Sequence, residues 1–123
     1  MTYYRSTVVD VGPEARDMVA AGVVILFGEP LPDALAEVSV VHRPSQTLEG
    51  HAIGVGDTVV IGGQELTVAA VGDIATKNLD ELGHVVLYLN TGAEREPMPG
   101  AVFATGELSV VEPGHEIEFR AGS

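Results

Sequence analysis

Short apolar segments rich in valine, isoleucine, threonine and tyrosine alternate with glycine- and proline-containing turns along the whole chain. Segments of this length and composition are typical of β-strands. Nine of them predict strands: Thr2–Val11, Val23–Phe27, Val38–His42, Thr58–Ile61, Glu65–Val71, His84–Leu89, Ala101–Ala104, Glu107–Val111 and His115–Arg120. Their number and spacing favour a mainly β fold, a small closed or partly open β-barrel or sandwich.

One hairpin is well specified by its turn residues. Thr58–Ile61 and Glu65–Val68 are separated by Gly62, Gly63 and Gln64. Glycine readily adopts the positive φ that tight hairpin turns require. The two segments are therefore predicted to pair with each other.

Helical patterns are few and short. The segment Pro13–Ala21 begins with a proline, which suits the first helical position. The segment Thr76–Leu82 is followed by Gly83, which permits a left-handed cap. In the last segment Leu79 and Leu82 are three residues apart, so both side chains can face the sheet. The sequence predicts two or three short helices, at Pro13–Ala21, Asp33–Glu37 and Thr76–Leu82.

Length and charge narrow the class of protein. The 123 residues suit one domain over residues 1–123, and 46% apolar residues are enough for a core. Six basic and eighteen acidic residues give a net charge of −12. Because nucleic acids and anionic lipids are bound mainly by clustered Lys and Arg, neither is a predicted partner. A partner that carries a basic patch is favoured instead.

The absence of cysteine excludes disulfides, thiolate metal sites and cysteine nucleophiles. The longest apolar run, Met18–Phe27, is interrupted only by Gly22 and is far shorter than the ~20 residues that span a bilayer. The first residues lack the basic and apolar pattern of an export signal. These features predict a cytoplasmic domain that is not inserted in a membrane.

The sequence gives little support to three other kinds of site: a metal site, a pair of catalytic carboxylates and a phosphate-binding loop. The four histidines, His42, His51, His84 and His115, are far apart in sequence and form no paired metal-ligand motif. The many carboxylates are interpreted as a solvated acidic surface. Gly54 and Gly56 precede a predicted strand, whereas a nucleotide-binding loop joins a strand to a helix. We therefore predict no metal and no cofactor.

His42 is the strongest candidate for chemistry. It ends the apolar run from Val38, so a buried strand delivers its imidazole to the start of the loop Arg43–Thr47. Arg43 could supply positive charge, although adjacent strand positions point to opposite faces. The residues alone leave two interpretations open: a structural histidine, which they favour, and a nucleophile. His84, at the start of the next strand, is interpreted as a boundary histidine.

A longer stretch resembles a known family. Residues Ala70–Val85 contain Ala-Val-Gly and then Asn-Leu-x-Glu-Leu-Gly-His-Val, which is similar to the signature of the glucitol/sorbitol-specific IIA component of the bacterial phosphotransferase system. Met98–Val102 resembles the Phe-Pro-Gly-x-Val segment of that family, and His42 falls where its phosphorylated histidine sits. The length matches end to end. Some relatives carry a second histidine where this chain has Pro44, so His42 is left alone.

The resemblance implies a phosphoryl carrier. Such proteins accept a phosphoryl group from the histidine-containing phosphocarrier protein and pass it to a IIB component, whose acceptor is a cysteine, in a membrane-associated IIB/IIC sugar permease. Here His42 would be the acceptor, with His84 and Arg43 as supporting groups. Imidazole suits this role because its pKa of about 6.5 leaves a mostly neutral, nucleophilic ring near pH 7.

The carrier role sets requirements on the site. The His42 ring has to be accessible, uncharged and surrounded by positive charge or hydrogen-bond donors. We also expect an apolar docking patch around His42 with carboxylates at its edge, drawn from Leu48, Ile53, Leu79 and Leu82. The alternatives are a non-catalytic partner-binding or regulatory module of the same fold and a purely structural subunit. The sequence leaves the transported sugar and homo-oligomer formation open.

Overall fold

The structure is a computed structural model that describes residues 1–91 and 96–122. Within these ranges the chain forms eight strands and three helices, in the order β1 (Thr2–Val11), α1 (Pro13–Ala20), β2 (Val23–Gly28), α2 (Asp33–Ala36), β3 (Val40–Gln46), β4 (Thr58–Ile61), β5 (Gln64–Val71), α3 (Ala75–Leu82), β6 (Val85–Leu89), β7 (Ala101–Thr105) and β8 (Glu116–Arg120). The predicted mainly β fold with short helices is confirmed.

The strands form a closed barrel in the order β1-β3-β2-β6-β7-β5-β4-β8, with β8 pairing back onto β1. The β2–β3 and β6–β7 pairs are parallel and the other pairs are antiparallel. Closure satisfies the backbone groups that an open sheet would leave at its edges. Alternate residues of each strand fill the interior, which contains the largest buried side chains, such as Tyr4, Phe119 and Leu26.

The predicted hairpin is confirmed as β4–β5. Ile61 pairs with Gln64, so only Gly62 and Gly63 occupy the turn, with φ of 57° and 80°. Two consecutive positive φ values are the requirement of a type I′ turn, whose twist matches the flanking strands. The strand therefore begins at Gln64, which the sequence had placed in the turn.

The predicted strand at Glu107–Val111 is wrong. This segment joins no ladder, and the side chain of Gln64 holds it by accepting from the Ser109 backbone N–H at 2.8 Å and donating to the Val110 carbonyl at 2.8 Å. Leu108 and Val111 are buried in the core. The apolar residues of this segment therefore pack onto the barrel without strand pairing.

Strand β3 is longer than its sequence suggested, and this changes the setting of His42. The strand continues through Arg43 and Pro44 to Gln46, with Ser6 of β1 opposite Pro44. Pairing with β2 ends at Gly28 and His42. Pro44 therefore lies where β3 has a neighbour on one side only, and its missing N–H is tolerated. His42 lies inside the strand and not at the start of a loop.

The helices are short, and α3 has a direct bearing on the site. It buries Ala75 and Leu79 in the core and ends at Gly83, whose φ of 65° gives the predicted left-handed cap. The turn at Gly83 leads into β6. Among the residues that the structure describes, no helix is long and apolar enough to cross a bilayer.

Candidate functional site

His42 is fully buried, with both ring nitrogens engaged. Its exposed fraction is 0%. Nδ1 lies 2.5 Å from the Ser6 hydroxyl on β1, and Nε2 lies 2.6 Å from the carbonyl oxygen of Gly83 at the end of α3. The expectation of an accessible ring is therefore wrong for this structure, because β3 continues beyond His42 and the turn after α3 covers the ring.

The two hydrogen bonds fix the tautomer. A carbonyl oxygen only accepts, so Nε2 carries the proton and donates it to Gly83, while Nδ1 accepts from the Ser6 hydroxyl. Burial lowers the pKa of His42, and the hydrogen bond to the Gly83 carbonyl only partly offsets this effect. The ring is therefore neutral at pH 7.

Two glycines allow the backbone to close over the ring. A Cβ on Gly83 would lie 2.8 Å from the Gly28 Cα and 3.2 Å from the His42 Cε1, and a Cβ on Gly28 would lie 2.8 Å from the Leu82 carbonyl oxygen. Neither position has room for a side chain, and Gly83 also needs its positive φ. The Gly-His pair of the sequence motif therefore places a backbone carbonyl against His42.

A cavity of about 230 Å³ lies on the other side of this cover. Tyr4 of β1 and Pro44 of β3 contribute to its wall, each two residues along its strand from Ser6 and His42 respectively. Gly28 and Gly83 belong both to the cavity wall and to the cover of the ring. The lining residues are Tyr4, Phe27, Gly28, Glu29, Pro30, Pro44, Thr47, Leu79, Asp80, Glu81, Leu82 and Gly83.

The cavity is acidic. Glu29, Asp80 and Glu81 are part of its wall, and of the described lining residues none is Lys or Arg. Arg43 does not line the cavity; its side chain is 71% exposed and binds Glu29 of the cavity wall at 2.9 Å. Arg43 therefore does not contact the His42 ring. Of the two expected features, positive charge or hydrogen-bond donors, only neutral donors line the cavity.

His84 lies near the rim of the site but not against His42. Its Nδ1 lies 3.0 Å from the Leu26 carbonyl oxygen, and its ring packs on Phe27 with the ring centroids 4.5 Å apart. The carbonyl accepts, so His84 donates this hydrogen bond. This is the boundary histidine that its position in the sequence indicated, and it is not among the residues that line the cavity.

The expected apolar docking patch is mostly absent. Leu48, Ile53 and Leu79 are buried core residues, and Leu82 alone of the four is exposed, by 51%. Leu82 lies at the cavity beside Glu81. The surface next to His42 is therefore a carboxylate rim with one apolar side chain, because the helical spacing turned Leu79 inward and left Leu82 at the end of α3.

Sequence reasoning missed Ser6 and Tyr4. With Val8 they form alternate buried positions of β1, which face the barrel interior beside His42. The Tyr4 ring lies 6.4 Å from the His42 ring, edge-on at 71°. Polar residues at core positions of a strand are a detectable signal. Their partner was not predictable, because it depends on the register between β1 and β3.

The protein is thus a closed β-barrel that holds a buried, neutral imidazole on one strand, beside an acidic cavity.

Known proteins are similar to the chain over nearly its whole length. The family model described as PTS system glucitol/sorbitol-specific IIA component matches residues 3–118. The chain therefore belongs to the glucitol/sorbitol-specific IIA family of the phosphotransferase system. It is a phosphotransferase component, a phosphoryl carrier that acts through a phosphohistidine in sugar uptake.

Individual relatives agree with the family. The PTS system glucitol/sorbitol-specific EIIA components of Shigella flexneri and Escherichia coli (strain K12) are each 32% identical to the chain over 119 residues, which is 96% of this chain and 94% of either relative. The crystal structure of a PTS system IIA component from Enterococcus faecalis V583 has a TM-score of 0.83 and 26% identity, with 95% of this chain and 99% of that chain covered.

Proposed function

We propose that His42 is the phosphoryl acceptor, that the donor is the histidine-containing phosphocarrier protein, and that the next acceptor is a IIB component of a membrane-associated sugar permease. The observation that carries this proposal is the neutral His42 ring, whose Nε2 lies 2.6 Å from the carbonyl oxygen of Gly83, a residue of the cavity wall. The relatives named for glucitol and sorbitol support a sugar alcohol as the transported sugar. A carrier with these partners works at the cytoplasmic face of the membrane.

The reacting atom is Nε2. The Ser6 side of the ring lies inside the barrel, with Ser6 only 2% exposed, whereas the Gly83 side borders the cavity. For Nε2 to attack, its proton has to be replaced by one on Nδ1. The Ser6 hydroxyl accommodates this change, because a hydroxyl can accept from Nδ1–H as well as donate to Nδ1.

The transfer is an in-line displacement at phosphorus. The Nε2 lone pair of His42 forms the new N–P bond, and the N–P bond to the donor's imidazole breaks with its electron pair returning to that ring. In the product Nδ1 keeps its proton and donates to Ser6. Since a phosphoryl group then occupies the place of the Gly83 carbonyl, the turn after α3 has to move away from the ring.

The acidic rim suits a basic partner. Glu29, Asp80 and Glu81 surround the cavity, and the whole chain has a net charge of −12. Opposite charges on a docking protein speed the encounter and orient it. The same carboxylates repel a bound phosphoryl dianion, which favours onward transfer over storage.

Incubation with the general phosphotransferase proteins and phosphoenolpyruvate tests the proposal. Intact mass should rise by about 80 Da, which corresponds to one phosphate group. Cleavage after glutamate releases Val38–Glu49, in which His42 is the single histidine. We expect the added mass on this peptide, and the peptide should lose it in acid.

Two variants complete the test. His42→Gln should gain no mass, while His84→Gln should behave as the wild type because its ring hydrogen-bonds to Leu26 away from the cavity. Thermal unfolding of both variants checks that they are folded. Phosphorylation on a peptide without His42 would contradict the proposal, and binding of the phosphocarrier with no mass gain would favour a non-catalytic binding module.

A further inference from the structure

The hydroxyl of Tyr4 is buried without a hydrogen-bond partner. Tyr4 is 1% exposed, and its oxygen has no partner among the described residues. Buried hydroxyls in folded proteins are nearly always hydrogen-bonded, so an exception calls for an explanation. A group that is absent from the resting protein but present during the reaction would supply that explanation.

The position of Tyr4 links it to the reacting ring. Its side chain lines the cavity, and its ring lies edge-on to His42 with the centroids 6.4 Å apart. Burial, and after it the charge of Asp80, raise the pKa of Tyr4 well above its usual value, so the phenol keeps its proton. Asp80 and Gly83 belong to the same end of α3, which thus faces both Tyr4 and Nε2 of His42.

The cavity offers a phosphoryl group few other donors. The carboxylates of Glu29, Asp80 and Glu81 only accept when ionised, and the remaining lining side chains are apolar except for Tyr4 and Thr47. Thr47 is exposed, so water can satisfy its hydroxyl. Tyr4 is the buried donor, and its hydrogen bond to an anion would not compete with solvent.

We propose that the Tyr4 hydroxyl donates a hydrogen bond to an oxygen of the phosphoryl group on His42. This inference rests on the proposed function of His42. Movement of the turn at Gly83 would uncover the ring nitrogen and open the cavity wall to which Tyr4 belongs, so that the phosphoryl group enters beside Tyr4. Tyr4 thereby stabilises negative charge where no cation lines the described cavity wall.

Tyr4→Phe removes this hydroxyl and nothing else. We expect the melting temperature to stay the same or rise, because no existing hydrogen bond is lost. The rate of phosphoryl transfer to His42 should fall by about tenfold or more, the usual effect of deleting one donor to a charged group. The phosphorus chemical shift of the phosphohistidine should also move.

Tyr3→Phe is the matched control. Tyr3 is the neighbouring residue of β1 and is 3% exposed, but its hydroxyl donates to Asp57 at 2.7 Å, away from the cavity. This variant should lose stability while it keeps the wild-type transfer rate and phosphorus shift. The two variants together separate a role in folding from a role at the phosphoryl group.

A second measurement does not depend on any variant. In wild-type protein labelled with ¹³C at the tyrosine Cζ, phosphorylation should shift the Tyr4 signal and leave Tyr88 unchanged. Transfer within twofold of wild type in folded Tyr4→Phe, or an unmoved Tyr4 signal, would overturn this inference alone. Wild-type protein that is not phosphorylated on His42 would overturn the proposed function and this inference with it.

Discussion

Tyr3 and Tyr4 are adjacent and equally buried, yet their hydroxyls have opposite surroundings. Tyr3 donates to Asp57, which also accepts from the backbone N–H groups of Gly54 and Gly122, both at 2.8 Å. The hydroxyl of Tyr4 has no partner among the described residues. The Tyr3 hydroxyl is thus part of a satisfied hydrogen-bond network, whereas the Tyr4 hydroxyl, in a residue that packs edge-on to His42, is unsatisfied.

The difference separates structural polar groups from functional ones. Burial alone would raise the pKa of Asp57, but the hydrogen bonds from Tyr3, Gly122 and Gly54 lower it. That network ties β1, the start of β4 and the C-terminal residues together and needs no ligand. The Tyr4 side, by contrast, contains a hydroxyl without a partner among the described residues, and the proposed hydrogen bond to the phosphoryl group would supply that partner.

The largest effect on the region around Tyr4 and His42 is expected for Gly83→Ala. The new Cβ would meet the Gly28 backbone at 2.8 Å, in a position with positive φ, so we expect a loss of about 2–4 kcal/mol in the free energy of unfolding. Gly63→Ala is the control, since its φ is 80° but nothing lies within 4 Å; its loss should be about 1 kcal/mol. Equal losses in urea denaturation would contradict the close packing at Gly83.

Asp57→Asn disrupts the hydrogen-bond network between Tyr3 and Asp57. An amide can no longer accept all three hydrogen bonds, so we expect a loss of about 2–3 kcal/mol, with phosphoryl transfer unchanged. Asp17→Asn, on the exposed face of α1, should change stability by less than about 0.5 kcal/mol. A transfer defect in folded Asp57→Asn would show that the two networks are not separate.

The pH dependence of stability reports on the His42 ring. Because its pKa is lower in the folded than in the unfolded protein, the unfolded protein binds the proton more readily. The contribution of His42 is therefore fully present above pH ~6.5 and is lost as the pH falls below that value, by at most about 1.4 kcal/mol per pH unit. In denaturant titrations His42→Gln should lack this part of the slope. Parallel curves would mean that the ring is not desolvated.

The smallest effect is expected for Arg43→Ala. Its ion pair with Glu29 is solvent-exposed, so stability should fall by less than about 1 kcal/mol. Phosphoryl transfer from the phosphocarrier should stay within about threefold of wild type, because the guanidinium does not line the cavity and is already paired with Glu29. A loss comparable to that of Tyr4→Phe would restore the role as a charge stabiliser that the sequence suggested.

The sequence predicted the strands and helices better than it predicted how they pack against one another. Strand composition, the Gly62–Gly63 turn and the Gly83 cap are local, so most element bounds agree with the structure. The prediction of His42 also came from local information, the motif and its position on an apolar strand. The predicted setting of His42, an accessible ring at the start of a loop, was wrong because long-range packing decides it, as in the continuation of β3 past Pro44.

Exposure and hydrogen-bond partners could not be predicted. Burial of His42 depends on the approach of Gly83 to Gly28, two residues far apart in the chain. The contact of Ser6 with the ring depends on the register of β1 against β3, and the single-residue shifts in that pair leave no trace in either strand's sequence. The partners of a buried ring follow from topology, which local patterns do not contain.

The most direct test of the account is through-bond coupling between ³¹P and ¹⁵N in phosphorylated protein labelled with ¹⁵N-histidine. The account predicts coupling to Nε2 of His42, a proton on Nδ1 that is donated to Ser6, and loss of the hydrogen bond from Nε2 to the Gly83 carbonyl. Coupling to Nδ1, or to the ring of another histidine, would contradict it.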